Sequence, residues 1–215
     1  MYHIGNVFIM GDSYSAFDGC TTAENIFYYP RAGEKEMDVD RKEQMWFDIV
    51  LREQGGQLVL NNSVSGSTVC NTGYDGEDYP HSFVRRTEKY CSSGFFSSRR
   101  IDTVFVFGGT NDSWAGSPLG EIKYGGWTDG DKYRSLPAFS YVLCSLKKAL
   151  PAAHIIPILN CDINEELRTA YREIAEHFEL RCVSLHNISK VGGHPNAEGM
   201  RQIAAQVTEV LESIE

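Results

Sequence analysis

Ser13 lies in the run Gly11-Asp12-Ser13-Tyr14-Ser15, directly after the apolar stretch Ile4–Met10. A hydroxyl at the end of such a stretch can act as a nucleophile if a base reaches it and donors stabilise the oxyanion. Asp and Ser equally suit a turn or a helix N-cap, so the chemistry depends on partners elsewhere in the chain. Three segments offer them. In Asn62-Ser63-Val64-Ser65-Gly66-Ser67-Thr68, a turn sequence, Gly66 lets a backbone N–H come close to a ligand. Gly108-Gly109-Thr110-Asn111-Asp112 presents the Asn111 side-chain amide, and Gly192-Gly193-His194-Pro195-Asn196 sets a histidine just ahead of a helical pattern. One nucleophile, one base and two or three donors are the parts of an acyl-transfer site.

Apolar runs alternate with amphipathic ones, which predicts an α/β fold around a parallel sheet in one domain over residues 1–215. Strands are expected at Ile4–Met10, Gln57–Asn61, Thr103–Phe107, His154–Leu159 and Arg181–Leu185. Helices are expected at Gln44–Gln54, Leu136–Leu150, Glu165–Phe178 and Asn196–Ser213, the last with Ile203, Ala204, Val207, Val210 and Leu211 in a core-facing stripe. In such a sheet the loops at the carboxyl ends of the strands gather along one edge, where ligands bind. Gly73–Ser98 and Ser113–Tyr133 break the alternation, and long irregular segments of this kind often serve as lids or binding loops.

The chain has 215 residues, enough for a full two- or three-layer core, with ordinary hydrophobic (42%) and charged (23%) content. A net charge of -9 argues against a nucleic-acid partner or an anionic membrane surface. No apolar run approaches the length of a membrane span, and Met1-Tyr2-His3 leads straight into the first strand with no signal peptide in view. The chain as it stands suits the cytoplasm, or export if a signal was removed. Of the six cysteines, Cys144 and Cys182 fall in helix or strand patterns typical of buried thiols, and Cys161 follows an apolar run. Cys70 and Cys91 flank a loop-rich stretch and could pair in an exported protein. There is no cysteine–histidine set at zinc spacing, and Asp129-Gly130-Asp131 lacks the remaining ligands of a calcium loop, so no metal is expected.

These four segments together resemble the SGNH, or GDSL, hydrolase family. The matching residues are Gly11-Asp12-Ser13, Gly66 within Asn62–Thr68, Gly109-Thr110-Asn111-Asp112 and His194-Pro195-Asn196, in the family's order and spread over nearly the whole chain. The resemblance implies a three-layer α/β/α, flavodoxin-like fold with a five-stranded parallel sheet, and ester hydrolysis without metal or organic cofactor. It assigns Ser13 as nucleophile and His194 as general base. The oxyanion hole would be the backbone N–H groups of Ser13 and Gly66 and the side-chain amide of Asn111. One such donor is worth ~3–4 kcal/mol, so Asn111 is expected to show the largest effect after the nucleophile. Asp12 and Asp112 are expected to shape loops, and Thr68, Asn196 and Gly199 to serve turns and caps.

The sequence departs from the family pattern in one place. The aspartate usual three residues before the histidine is replaced by Val191, and no Asp or Glu occurs from Leu180 to Ala197. That acid accepts the histidine Nδ1–H, fixing the tautomer and supporting the imidazolium. A backbone carbonyl can do the first and part of the second, so a Ser13–His194 dyad is expected, oriented by a carbonyl near Val191 or Gly192. The opposing reading is a degraded, inactive site. With no carboxylate beside the base, activity should rise through about pH 6–7.

Among the other histidines, His3, His81, His154 and His177 have no motif around them, and His186 lacks the Pro-Asn helix start that follows His194. Trp114, Tyr124, Trp127 and Tyr133 follow Asn111 on a Gly-rich loop, where they either form a stacking platform for a sugar or acyl group or pin the loop to the body. Tyr14, beside the nucleophile, is a further candidate for substrate contact. A platform favours a carbohydrate acetyl ester over a long-chain lipid, since no exposed apolar run is visible. Thioesterase, lysophospholipase and acyltransferase activities use the same parts, and a catalytically dead carbohydrate-binding module would use only the platform.

Overall fold

The computed structural model describes residues 3–22, 24–31 and 38–213. Its centre is a five-stranded parallel sheet of β1 (Asn6–Gly11), β2 (Gln57–Ser63), β3 (Thr103–Phe107), β4 (His154–Leu159) and β5 (Val183–Ser184), in the order β2-β1-β3-β4-β5. The strands are apolar on both faces because both are covered. Phe8 and Met10 of β1 point into one core and Val7 and Ile9 into the other. The first core is closed by α2 (Phe83–Ser92), α4 (Ser135–Ala149) and α5 (Glu165–His177), the second by α1 (Trp46–Glu53) and α6 (Ala197–Glu212). This is the expected three-layer α/β/α architecture.

The strands match the expected positions, with β5 reduced to two paired residues. The larger difference is α2, which lies within Gly73–Ser98. Its buried face consists of Phe83, Val84, Arg86, Thr87 and Tyr90, so an arginine and a threonine interrupt the apolar stripe by which helices are recognised. Ser82 caps it by accepting the N–H of Arg85 at 3.1 Å. A shorter helix, α3 (Thr110–Ala115), starts directly after the Gly108-Gly109 turn. The remainder of Ser113–Tyr133 is irregular apart from one 3-10 stretch at Asp129–Tyr133. Cys70 is buried and Cys91 is exposed on α2, and both are free thiols. No helix among the described residues is long and apolar enough to cross a membrane, and no group of three His, Cys, Asp or Glu side chains is placed to hold a metal ion.

The chain passes from β1 to β2 on one side and returns to β3 on the other, so the carboxyl ends of β1 and β3 flank the topological switch point. Behind this edge lies Arg86. Its Nε donates to His81 O at 2.9 Å, its Nη2 to Gly11 O at 3.2 Å and to Ser67 Oγ at 2.7 Å, and its Nη1 to the backbone and side-chain oxygens of Asn62. The guanidinium also lies 4.4 Å from the centre of the Phe83 ring. Burial pushes its pKa down to about 10, which still leaves it charged at neutral pH.

Replacing Arg86 with Met would leave several of these buried acceptors without donors, at about 1–3 kcal/mol each. Arg86→Met is therefore expected to lower unfolding stability by roughly 3 kcal/mol or more in urea titrations; a loss within ~0.5 kcal/mol, as at an ordinary surface site, would contradict this account.

Candidate active site

Ser13 opens a single 3-10 turn, Ser13–Ser15, immediately after β1. Asp12 caps that turn by accepting the Tyr14 N–H at 3.0 Å. His194 reaches the same point from the opposite end of the sequence. It sits on a small antiparallel hairpin of β6 (Lys190–Val191) and β7 (His194–Pro195), joined by Gly192 and Gly193. Both glycines have positive φ, 58° and 81°, as a two-residue type I′ hairpin turn requires. The hairpin brings His194 Nε2 to 2.9 Å from Ser13 Oγ, while Nδ1 faces the Gly192 carbonyl at 3.3 Å.

The hairpin is anchored from beneath by Tyr14 and Tyr29. The Tyr14 hydroxyl donates to Gly193 O at 2.5 Å and accepts from Asn160 Nδ2 at 3.1 Å. Asn160 Oδ1 in turn accepts from Lys190 Nζ at 2.7 Å, and Tyr29 donates to Pro195 O at 2.8 Å. Tyr14 is fully buried, which removes it from the residues expected to touch a ligand: it holds the histidine's hairpin.

The donor side is assembled from the loops after β2 and β3. Asn111, in the first turn of α3 and 2% exposed, donates from Nδ2 to Ser67 O at 3.0 Å and accepts at Oδ1 from the Tyr74 hydroxyl at 2.7 Å. These partners fix which way the amide faces, because a carbonyl can meet only the NH2 end. One Nδ2 hydrogen thus remains beyond the bond to Ser67. Gly66, the residue before Ser67, has φ of 79°, and a side chain there would meet no atom within 4 Å, so its backbone borders open space. Asp112 ties the two loops together: it accepts from Val69 N at 2.6 Å, Cys70 N at 3.2 Å and Ser135 Oγ at 2.8 Å.

Trp114 belongs to the same cluster, its ring 5.6 Å from that of His194 at 72°. Tyr124 and Trp127 do not. Tyr124 stacks on His177 at 3.5 Å, at the far end of α5, and Trp127 packs edge-on against Tyr141 of α4 at 5.5 Å. Of the two roles open to these aromatics, they take that of pinning the loop to the body. Two contributors escaped the sequence analysis. Tyr28 stacks face to face on His194, 3.6 Å apart and within 9° of parallel, and Tyr74 orients Asn111. The only local signals were the aromatic run Phe27-Tyr28-Tyr29 and the position of Tyr74 in a stretch already marked as irregular.

The charge state of the site follows from burial. Burial pushes the Asp12 carboxyl up to about 7, outweighing the hydrogen bond from the Tyr14 N–H. Burial also holds His194 below its ordinary value of 6.5; the Gly192 carbonyl opposes this and the Lys190 charge adds to it. The Tyr74 phenol is pushed up to about 12 by burial, so it stays a hydrogen-bond donor at neutral pH.

A family model described as GDSL-like Lipase/Acylhydrolase matches residues 5–211. Among solved structures, one from Bacteroides uniformis ATCC 8492, designated a GDSL-like lipase, is 45% identical, with 97% of this chain and 96% of that chain covered at a TM-score of 0.89. Another so designated, from Bacteroides ovatus ATCC 8483, is 38% identical, with 97% and 98% covered and a TM-score of 0.89. A family two carbohydrate esterase from Clostridium thermocellum, in complex with cellohexaose, shares the fold at 16% identity, with 99% of this chain and 65% of that chain covered and a TM-score of 0.66. No curated protein matches the chain in sequence.

Because the carboxyl of Asp12 is held at about 7 in the fold, against 3.8 unperturbed, the folded state favours its protonated form. That contribution is complete below about pH 4 and is lost as pH rises through 7. Asp12→Asn keeps an acceptor for the Tyr14 N–H and removes the charge. In urea titrations the variant should gain stability over the parent between pH 5 and 8, by up to a few kcal/mol. Parallel pH dependence of the two would contradict the shift.

Proposed function

The chain belongs to the GDSL-like lipase/acylhydrolase family, and on that premise we propose that it cleaves a small acyl ester through a Ser13–His194 dyad. That it is a hydrolase acting on esters follows from the family; the assignment of roles is carried by the 2.9 Å contact between His194 Nε2 and Ser13 Oγ. Ser13 Oγ attacks the ester carbonyl carbon as its proton passes to His194 Nε2. The negative charge on the carbonyl oxygen is met by the N–H groups of Ser13 and Gly66 and by the free N–H of Asn111. Collapse of the tetrahedral species expels the alkoxide, which takes the proton from His194. Water then attacks the acyl carbon as its proton passes to His194; the Oγ–C bond breaks, the acid departs, and Ser13 Oγ takes the proton back from His194.

The place of the acid is taken by the Gly192 carbonyl, which accepts the Nδ1–H and so keeps Nε2 free to receive the Ser13 proton. Tyr74 supports the opposite wall, because its hydrogen bond to Oδ1 polarises the Asn111 amide and strengthens the N–H that faces the oxyanion.

The leaving group we infer is a carbohydrate, so that the substrate is an acetylated sugar. Trp114 and Tyr74, 42% and 55% exposed, offer ring surface beside the dyad, and a carbohydrate esterase with this fold holds cellohexaose. One observation favours a second reading, a longer acyl chain: the exposed Ile26 and Val191 also border the site. Ile26 O bonds Ser65 N next to Gly66, and Val191 pairs with His194 across the hairpin. Rates on p-nitrophenyl esters of increasing chain length, set beside deacetylation of acetylated oligosaccharides, separate the two. A preference for acetyl is the expected result.

Ser13→Ala should abolish both turnover and covalent labelling by a fluorophosphonate while leaving the fold intact. Labelling of that variant, or no labelling of the parent, would sink the mechanism and leave only a binding module. Asn111→Ala is expected to lower kcat about 10²- to 10³-fold, and Tyr74→Phe less, about 3- to 10-fold. The rate should rise with pH through a midpoint below 6.5, since burial keeps His194 neutral to lower pH; a flat profile from pH 5 to 8 would count against His194 as base.

A further inference from the structure

The Gly192 carbonyl gives His194 an acceptor but not the full charge of a carboxylate. We propose that Tyr28 supplies much of the missing electrostatic support, the face of its ring stabilising the imidazolium that forms when His194 takes the Ser13 proton. This inference rests on the dyad reading above and goes beyond it in assigning Tyr28 as a positioning and charge-stabilising residue for the base.

The geometry is that of a cation–π contact. The two rings are 3.6 Å apart and within 9° of parallel, so the negative face of the phenol covers the imidazole. Tyr14, 5.5 Å away and inclined at 54°, and Trp114, 5.6 Å away at 72°, stand around the same ring. Tyr28 is held in place by its own segment: its N–H donates to Ala16 O at 2.9 Å, Asn25 Nδ2 to Ser63 O at 3.0 Å, and Ser65 N to Ile26 O at 2.8 Å.

The hydrogen-bonded partners of the His194 ring nitrogens are Ser13 Oγ and Gly192 O, neither of them a carboxylate. Lys190, four residues before His194, opposes the imidazolium but is itself tied to Asp162 at 2.7 Å and to Asn160 at 2.7 Å; Glu198, four residues after it, pairs with Arg201 at 2.7 Å. Burial raises the Tyr14 and Tyr28 phenols, so both meet the base as neutral rings. A neutral imidazole gains little from the π face and an imidazolium gains more. The contact is therefore stronger in the transition state than in the resting site, which is the condition for it to accelerate the reaction. The proton count is unchanged: what His194 takes from Ser13 Oγ as the Oγ–C bond forms, it returns to the departing alkoxide.

Two variants and two readouts test this. Tyr28→Leu keeps an apolar cover of similar size without a π face, and Tyr28→Phe keeps the face. The readouts are the pH dependence of kcat on p-nitrophenyl acetate and the His194 pKa from its ring C–H resonances, assigned against His194→Asn. Tyr28→Leu should lower kcat about 3- to 30-fold with KM little changed, and shift the His194 pKa and the rising limb down by about half a unit to one unit. Tyr28→Phe should restore both. Unchanged kcat in Tyr28→Leu would overturn the proposal. So would a loss of kcat with the His194 pKa unmoved or raised, since lost packing or water entry would give that result. If the parent itself neither turns over nor labels at Ser13, the esterase reading falls, whereas the ring titration still decides whether Tyr28 stabilises the charged imidazole.

Discussion

A buried guanidinium holds the functional edge of this molecule together. Arg86 is 4% exposed and spends its donors on the oxygens of Gly11, Asn62, Ser67 and His81. Those residues end β1, stand next to last in β2, follow Gly66 and precede α2, so one side chain sets the relative positions of the Ser13 turn and the Gly66 loop. Asp112 does the corresponding work on the other side, where its carboxylate gathers the N–H groups of Val69 and Cys70 and the hydroxyl of Ser135. Neither charge is paired with the other in an ion pair. Each is neutralised by dipoles, which confines both to one geometry, since most of those dipoles belong to backbone that cannot follow a moved side chain.

His194 is supported by a different kind of interaction. His194 is oriented by a carbonyl, covered by an aromatic face and carried on a hairpin that Tyr14, Tyr29, Asn160 and Lys190 hold against the sheet. The Lys190 ammonium is itself neutralised by Asp162. The carboxylates nearest the site therefore serve loop geometry or pair with lysine, and the imidazole meets none of them through a hydrogen bond. Val191 is 70% exposed, and its own hairpin partner is the histidine.

The fold and the four site segments were legible because each depends on local pattern. An apolar run of strand length followed by Gly, Ser, Asn or Asp announces a strand and the turn after it, and the five strands lie where such runs occur. The helix α2 was not legible, because Arg86 and Thr87 face inward where the pattern demands apolar residues. Tyr28 and Tyr74 were not legible either. Their contacts join segments remote in sequence, and nothing in the residues beside them distinguishes an aromatic that reaches the site from Tyr124 or Trp127, which pack elsewhere. The exposed apolar residues were hidden for a related reason: Ile26 and Phe27, Tyr74, Trp114 and Val191 come from four separate stretches, and only the fold decides that they stay exposed.

The placement of the histidine has a consequence for how the molecule fails. Ser13, Asn111 and their supports are rooted in the central sheet and share its cooperativity, whereas His194 rides on two-residue strands outside it. Elements with few backbone bonds of their own open at a lower free energy than the body they lean on. Competence and foldedness are then two thresholds rather than one. Under rising heat or denaturant the His194 hairpin is expected to open while the sheet still stands, so that an inactivation curve would mark the release of the hairpin and a spectroscopic melt the loss of the core.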